Sequence, residues 1–397
     1  MKRRLFIQKS ALASSVFLVP DFVRAFEMIP KEVSAFKKLV VIQLSGGNDG
    51  LNTIIPYEND LYYKSRPNLA VTKSEVLRAG NDLGFNKHLC GLKNLYDKGY
   101  LTVINNVGYP NPDRSHFRST DIWHTASDAN EYLNTGWLGR YVEEFGGKPY
   151  NGIEVDDSLS AILKGEKLNG IATKNPALLN RIMASPYFSK VLDEQTDAHL
   201  SEHNLGYLYK TMIEAKSSAK YLHEKTGTYS SKTTYPDNPF GKQLQTTAQF
   251  INSDVDTKVY YVSMGGFDTH VNQENRQKRL HETYSDALET FVRDLEKNDS
   301  FKDTLILTFS EFGRRVQQNA AKGTDHGTAN NVFVVGKNLK KPGFYNEASD
   351  LVNLDRNGDL IYSVDFREVY ATILDKWLAV DDEKVLNKGF SKLDFLG

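Results

Sequence analysis

Four short apolar segments of this chain each end in a loop that carries acids or a histidine. The segments are rich in β-branched and other apolar residues, which is typical of buried strands in a parallel sheet. They are Leu39–Leu44, Thr102–Val107, Val259–Ser263 and Thr304–Phe309. Ligands of open α/β sheets bind beyond the carboxyl ends of such strands. We therefore expect oxygen and imidazole groups from distant parts of the chain to meet at one edge, as in a metal-dependent enzyme.

Strand and helix signals alternate along the chain, and this alternation predicts the fold class. We expect an α/β fold, a three-layer α-β-α sandwich with a mostly parallel central sheet, in one domain over residues 36–397. Residues 150–245 carry few strand signals and are predicted to be largely a helical insertion or cap. The segment around Asn357-Gly358 superficially resembles a calcium-binding loop, but the glycine and glutamate positions of such a loop are not matched. The Asn-Gly pair instead predicts a hairpin turn.

The first 25 residues have the order of an export signal. Arg3-Arg4 precede an apolar stretch of roughly 10 residues, and Val23-Arg-Ala25 is a candidate cleavage site. Paired arginines indicate the twin-arginine export machinery and a periplasmic or secreted protein. A bilayer span needs about 20 apolar residues, so no transmembrane span is expected in the mature chain. A basic amphipathic start of the domain and an uncleaved anchor are the alternatives.

Composition excludes several classes of protein. The net charge is −1, and no stripe of lysine or arginine is interleaved with aromatic residues, so no nucleic-acid partner is expected. Cys90 is the only cysteine and cannot form an internal disulfide. A redox enzyme is disfavoured, since no flavin, haem or iron–sulfur spacing is present.

The strongest candidates for metal ligands are acid–histidine pairs in glycine-bounded loops. Asp268 and His270 are two positions apart, and an extended loop would direct both side chains to one side. Asp325 and His326 form a second pair. His326 precedes its strand, so that strand must run antiparallel to its neighbours, or the loop must fold back, for the histidine to join the same site. The alternative for the first pair is a solvated loop with a helix cap at Asp268 or Thr269.

Three further loops carry candidate residues. Asp49 follows the first strand in a glycine-rich turn, as a ligand or as an ordinary turn residue. Glu311 ends the most strand-like segment, as a ligand or as a first-turn acid after an N-cap serine. Arg314 or Arg315 could bind an anionic substrate bidentately. Ser115 is either an N-cap residue or a nucleophile whose pKa a metal lowers.

Taken together, the motifs resemble those of the exported domain-of-unknown-function family 1501. The matching segments are Leu44–Asn52, Asp113–Phe117, Gly136–Arg140, Gly266–His270, Ser310–Arg314, Gly323–Gly327 and Asp365–Arg367. That family is similar to the alkaline phosphatase and sulfatase superfamily, in which two divalent ions lie beside a nucleophile. The resemblance implies an alkaline phosphatase-like fold.

The resemblance also implies roles for individual residues. Asp268, His270 and His326 would bind one ion, and Asp325, from the second acid–histidine pair, is a further candidate metal ligand. Asp49, Glu311 and Ser115 would serve the other, with Ser115, His116 and Arg314 as catalytic residues. Phe312 departs from the pattern, because the superfamily usually has a histidine after the acid. Asp268 and His270 are also closer together than the usual pair.

The leading hypothesis is an exported hydrolase that depends on one or two divalent ions, zinc or manganese. Its expected substrate is a small phosphate or sulfate ester, or a sulfated or phosphorylated glycan. The alternative is a non-catalytic carbohydrate- or protein-binding protein that retains the fold and one metal.

Overall fold

A computed structural model describes residues 37–193 and 204–397. The predicted signal segment at residues 1–25 lies outside the described residues. The strands are β1 (Lys38–Leu44), β2 (Ile54–Ile55), β3 (Leu77–Arg78), β4 (Gly84–Phe85), β5 (Leu101–Gly108), β6 (Gly152–Glu154), β7 (Ile171–Ala172), β8 (Val259–Met264), β9 (Thr304–Phe309), β10 (Asn330–Val335), β11 (Gly343–Phe344) and β12 (Val364–Asp365). The helices are α1 (Asp60–Ser65), α2 (Cys90–Asp97), α3 (His116–Thr125), α4 (Trp137–Tyr141), α5 (Pro176–Met183), α6 (Pro186–Asp193), α7 (Asn204–Thr226), α8 (Pro239–Asn252), α9 (Gln273–Lys297), α10 (Phe366–Thr372) and α11 (Asp382–Leu386).

The four apolar segments predicted from sequence are strands of the main sheet. Its order is β11-β5-β10-β9-β1-β8-β6-β7, and β12 also pairs with β5. All these pairs are parallel except those of β10, which runs antiparallel to both β5 and β9. The strand that follows His326 therefore runs antiparallel to its neighbours, which is the condition under which this histidine can join the same site. The loops after β1, β5, β8 and β9 and the loop before β10 therefore share one edge of the sheet.

Apolar side chains cover both faces of the sheet. Along β1, Val40 and Ile42 belong to one core cluster, whereas Leu39 and Val41 belong to a second. The first cluster includes residues of α2, α8 and α9, and the second includes residues of α3, α4 and α10. This arrangement of two helical layers around a mostly parallel sheet confirms the predicted α/β sandwich.

The remaining parts differ in how well the sequence predicted them. Residues 150–245 contain helices, as expected, but also β6 and β7, which extend the main sheet. Both strands are short, at 3 and 2 residues, and carry little sequence signal. The predicted hairpin is confirmed, since Leu354 bridges Leu360 and Gly358 has φ +79°. Within the described ranges, no helix has both the length and the apolarity to cross a membrane.

Candidate metal centre

Three imidazoles surround the carboxylate of Asp268 at the shared edge of the sheet. Asp268 follows β8, and its Oδ1 lies 3.0 Å from His270 Nε2 and 3.2 Å from His326 Nε2. The third imidazole is His116, the first residue of α3, whose Nε2 lies 3.4 Å from the same oxygen. The structure thus brings together Asp268, His270 and His326, which the sequence nominated as ligands of one ion. It adds His116, which was nominated as catalytic.

The opposite nitrogen of each ring is held by a hydrogen-bond acceptor. Nδ1 of His270 lies 2.9 Å from Asp325 Oδ1, and Nδ1 of His116 lies 2.9 Å from Glu311 Oε1. Nδ1 of His326 lies 2.7 Å from the carbonyl oxygen of Arg114, which can only accept. These partners place the proton on Nδ1 and leave a lone pair on Nε2. Acceptors behind the ring are the usual support of metal-binding histidines.

These residues fit a divalent ion. Nε2 of His270 lies 2.9 Å from Nε2 of His326, so two lone pairs would face each other without a donor between them. A cation at this point converts that repulsion into two bonds. A tetrahedral ion with bonds of about 2.0 Å separates its ligands by roughly 3.3 Å. The separations among Asp268 Oδ1, His270 Nε2 and His326 Nε2 are 2.9 to 3.2 Å, close to that value.

Electrostatics in the cluster follow from these contacts. The hydrogen bond to Glu311 raises the pKa of His116, whereas burial lowers the pKa of His326. Burial alone would raise the pKa of Asp268, but the hydrogen bond and the positive charge of Arg314 hold it well below its ordinary value. The hydrogen bond from His270 lowers the pKa of Asp325. Asp268 therefore carries a full negative charge at neutral pH, as a cation ligand requires.

Arg314 corrects the sequence expectation of an anion clamp. Its side chain is fully buried, so a substrate in solvent does not reach it. The guanidinium donates to the carbonyl oxygens of Gly46, Gly47, Phe267 and Thr324. It also donates to Asp268 Oδ1 at 2.7 Å. Arg314 joins three loops and orients Asp268.

The three residues expected around a second ion do not converge. Asp49 is buried and pairs with Arg66 at 2.6 Å and with Gln273. Glu311 accepts from His116 and from the backbone N–H of Gly46 at 2.8 Å, so it lies behind an imidazole. Ser115 is the exposed N-cap residue of α3, and its side chain makes no capping bond. Among the described residues, His116, Asp268 and His326 form a group of potential ligands whose atoms lie within 4.8 Å of one another, and His270 is not part of that group.

The alternatives considered from sequence can also be compared with the structure. Helix α9 begins at Gln273 with Asn272 as its N-cap residue, so neither Asp268 nor Thr269 is a cap. No helix starts after Ser310, whose hydroxyl accepts from Asn48 N and donates to Leu44 O. The alternatives of a helix cap at Asp268 and of a first-turn acid at Glu311 are therefore wrong.

Phe312 occupies the position after the acid where the superfamily pattern has a histidine. Its ring is buried and lies 4.8 Å, centroid to centroid, from both His116 and His326. An apolar ring at this point contributes packing against two imidazoles but no ligand atom.

Sequence reasoning missed several buried polar residues at this edge of the sheet. Arg66, which pairs with Asp49, lies in a segment without a chemical motif. Gln43 lies within β1 and donates from Nε2 to Glu311 Oε2 at 3.3 Å. Its Oε1 contacts the buried Tyr261 and His124, and burial lowers the pKa of His124 to about 3. A polar residue inside an apolar strand was the available signal for Gln43.

Comparison with known proteins identifies the family. A family model described as a protein of unknown function (DUF1501) matches residues 100–391, which is more than half of the chain. The chain belongs to this family. The resemblance read from the motifs is therefore confirmed. No curated protein sequence matches the chain.

Similar solved structures are distant. The PsFucS1 sulfatase from Pseudoalteromonas sp. is 12% identical, with a TM-score of 0.42 over 91% of this chain and 72% of that chain. The lipoteichoic acid synthase LtaP from Listeria monocytogenes is 7% identical, with a TM-score of 0.37 over 78% and 67%. The zinc complex of the periplasmic domain of EcEptC from Escherichia coli is 12% identical, with a TM-score of 0.35 over 76% and 72%. At these values the similarities carry no argument about chemistry.

Proposed function

We propose that this protein is an exported, metal-dependent hydrolase of phosphate or sulfate esters. The supporting observation is the arrangement of three imidazole nitrogens around Asp268, each with its other nitrogen held by an acceptor. Asp268, His270 and His326 would hold a zinc or manganese ion. The ester class and a glycan-linked substrate rest on the resemblance of the motifs, and export rests on the arginine pair of the signal segment.

Ser115 is the proposed nucleophile. Its hydroxyl is exposed, is not used as a helix cap, and belongs to the residue that precedes His116. Backbone amides at the start of α3 favour a negatively charged group beside it. A bound divalent ion polarises the ester oxygen and lowers the pKa of a coordinated hydroxyl.

A non-catalytic binding protein is the second candidate. It is favoured by the engagement of Asp49 with Arg66 and of Glu311 with His116, because neither carboxylate faces a second ion. Such a protein would bind a carbohydrate or a protein and retain one metal.

Turnover of model esters separates the two candidates. The chain is loaded with Zn²⁺ or Mn²⁺ and assayed against aryl phosphates and aryl sulfates. We expect hydrolysis that Ser115→Ala abolishes and that Ser74→Ala, at an exposed serine outside the centre, leaves unchanged. Metal-loaded protein that is inert towards the whole panel would favour the binding protein.

A further inference from the structure

His116 presents a nitrogen that no protein group uses. Its Nε2 is buried, has no hydrogen-bond partner among the described residues and lies 3.4 Å from Asp268 Oδ1. We propose that His116 is a further protein ligand, which binds the ion beside Asp268 and His326 and is held in place by Glu311, and that the centre binds a single divalent ion. This inference rests on the metal centre proposed above and specifies its ligands and its stoichiometry.

Glu311 has the contacts of a positioning residue. Its Oε1 accepts from His116 Nδ1 at 2.9 Å and from Gly46 N at 2.8 Å, and its Oε2 accepts from Gln43. Both oxygens are thus used by groups of the protein, and the side chain is 1% exposed. A carboxylate that accepts from the far nitrogen of a histidine fixes the ring and increases its basicity towards a metal. The acid predicted as a ligand of a second ion instead supports a ligand of the first.

The neighbouring space already holds a positive charge. Arg314 bonds to Asp268 and to backbone carbonyls of the loops that follow β1 and β8. The Oδ1 atom of Asp268 already accepts from Arg314 and faces the three imidazoles, so it is not available to a second cation. The carboxylate of Asp49, which would have to hold that cation, is paired with Arg66.

The number of protein ligands also constrains the coordination number. A tetrahedral zinc ion with four protein ligands is typical of structural sites, whereas catalytic sites keep a position open. His116, Asp268 and His326 would leave a position open for substrate, and an ion that also bound His270 would have to expand its coordination, as manganese or zinc can. The single-ion centre thus remains compatible with hydrolysis.

The experiment is a titration of the metal-free full chain with Co²⁺, followed by its visible absorption. We expect one Co²⁺ per wild-type chain. His116→Ala, and His116→Gln as a second variant, should change the spectrum. Both should weaken the affinity for Co²⁺ by at least about 100-fold, which is more than the usual loss when a residue that supports a ligand is replaced. Glu311→Gln should weaken affinity by about 10- to 100-fold. His223→Ala, at an exposed histidine of α7, should match wild type.

Each contrary result has a distinct meaning. Folded His116 variants with the wild-type spectrum and affinity would overturn the ligand assignment. Two Co²⁺ per chain would overturn the single-ion centre. Wild-type protein that binds no Co²⁺ would refute the metal centre and the proposed function together. If the titration behaves as expected but no ester is hydrolysed, the inference stands and the hydrolase proposal fails.

Discussion

Asp49 and Asp268 follow neighbouring parallel strands, β1 and β8, yet their surroundings differ sharply. Each carboxylate binds a fully buried arginine, Arg66 at 2.6 Å and Arg314 at 2.7 Å. The side chain of Asp49 is 1% exposed, whereas that of Asp268 is 49% exposed and contacts three imidazoles. Strand topology therefore brings both acids to one edge, and the direction of each loop decides which of them can meet a metal ion.

Glycine controls the direction of the first loop. Gly46 has φ +119°, and a Cβ at this residue would lie 2.5 Å from the backbone nitrogen of Asp268. The loop after β1 can therefore lie directly against the loop after β8. Arg314 then bonds to both loops, and Asp49 is carried past them to Arg66.

Breaking the Asp49–Arg66 pair should have the largest effect on folding. Arg66→Met leaves the carboxylate buried without its main partner, and such changes cost about 3–5 kcal/mol of unfolding free energy. Denaturant unfolding measures the loss. Arg78→Met, at an exposed arginine, should stay within about 0.5 kcal/mol of wild type. The double variant Asp49→Leu/Arg66→Met should recover part of the loss, and a single variant as stable as wild type would refute a structural role.

Asp268 should behave in the opposite way. Asp268→Asn keeps an acceptor for Arg314 but removes the charge that a cation needs, so metal affinity should fall by at least about 100-fold. Unfolding free energy should change far less than in Arg66→Met, since the side chain is half exposed. Competition with a chromophoric chelator measures the affinity. Unchanged affinity would remove Asp268 from the ligand set.

Glu154 is a third acid at the end of a strand, and unlike Asp49 and Asp268 it has no ion pair among the described residues. Burial raises the pKa of Glu154 from 4.5 to about 7. At pH values below the pKa of the unfolded state, the carboxyl is neutral in both the folded and the unfolded chain. As pH rises towards and through the folded-state pKa, the unfolded chain ionises first, so the free energy of unfolding decreases. Between about pH 5 and pH 8, Glu154→Gln should therefore gain roughly 2–3 kcal/mol relative to wild type. Exposed Glu166→Gln should show no such trend.

The sequence predicted the buried strands well because long apolar runs are a strong signal. Thr304–Phe309 is reproduced as β9, the segments of β1 and β8 differ from their strands by 1 residue at one end, and that of β5 differs by 1 residue at each end. The sequence also predicted that Asp268, His270 and His326, the proposed ligands, would meet at one edge of the sheet, and the structure brings them together there.

What the sequence could not predict is the direction of individual side chains. The burial of Arg314 depends on backbone carbonyls, and these leave no residue pattern to read. The turn of Glu311 towards His116 depends on contact between residues 195 positions apart. Both contacts carry the proposal of a single ion, so the proposed stoichiometry was the part of the site that the sequence could least predict.

Asp325 should give the smallest of these effects. It accepts from His270 Nδ1 at 2.9 Å, but its side chain is 53% exposed, so water can replace part of that bond. Asp325→Asn keeps an acceptor without the charge and should weaken metal affinity by about 10-fold, the low end for such support. The exposed Asp82→Asn is the matched control in the chelator titration. A loss of metal affinity as large as that of Asp268→Asn would mean that Asp325 contacts the ion itself and is a ligand rather than a supporting acid.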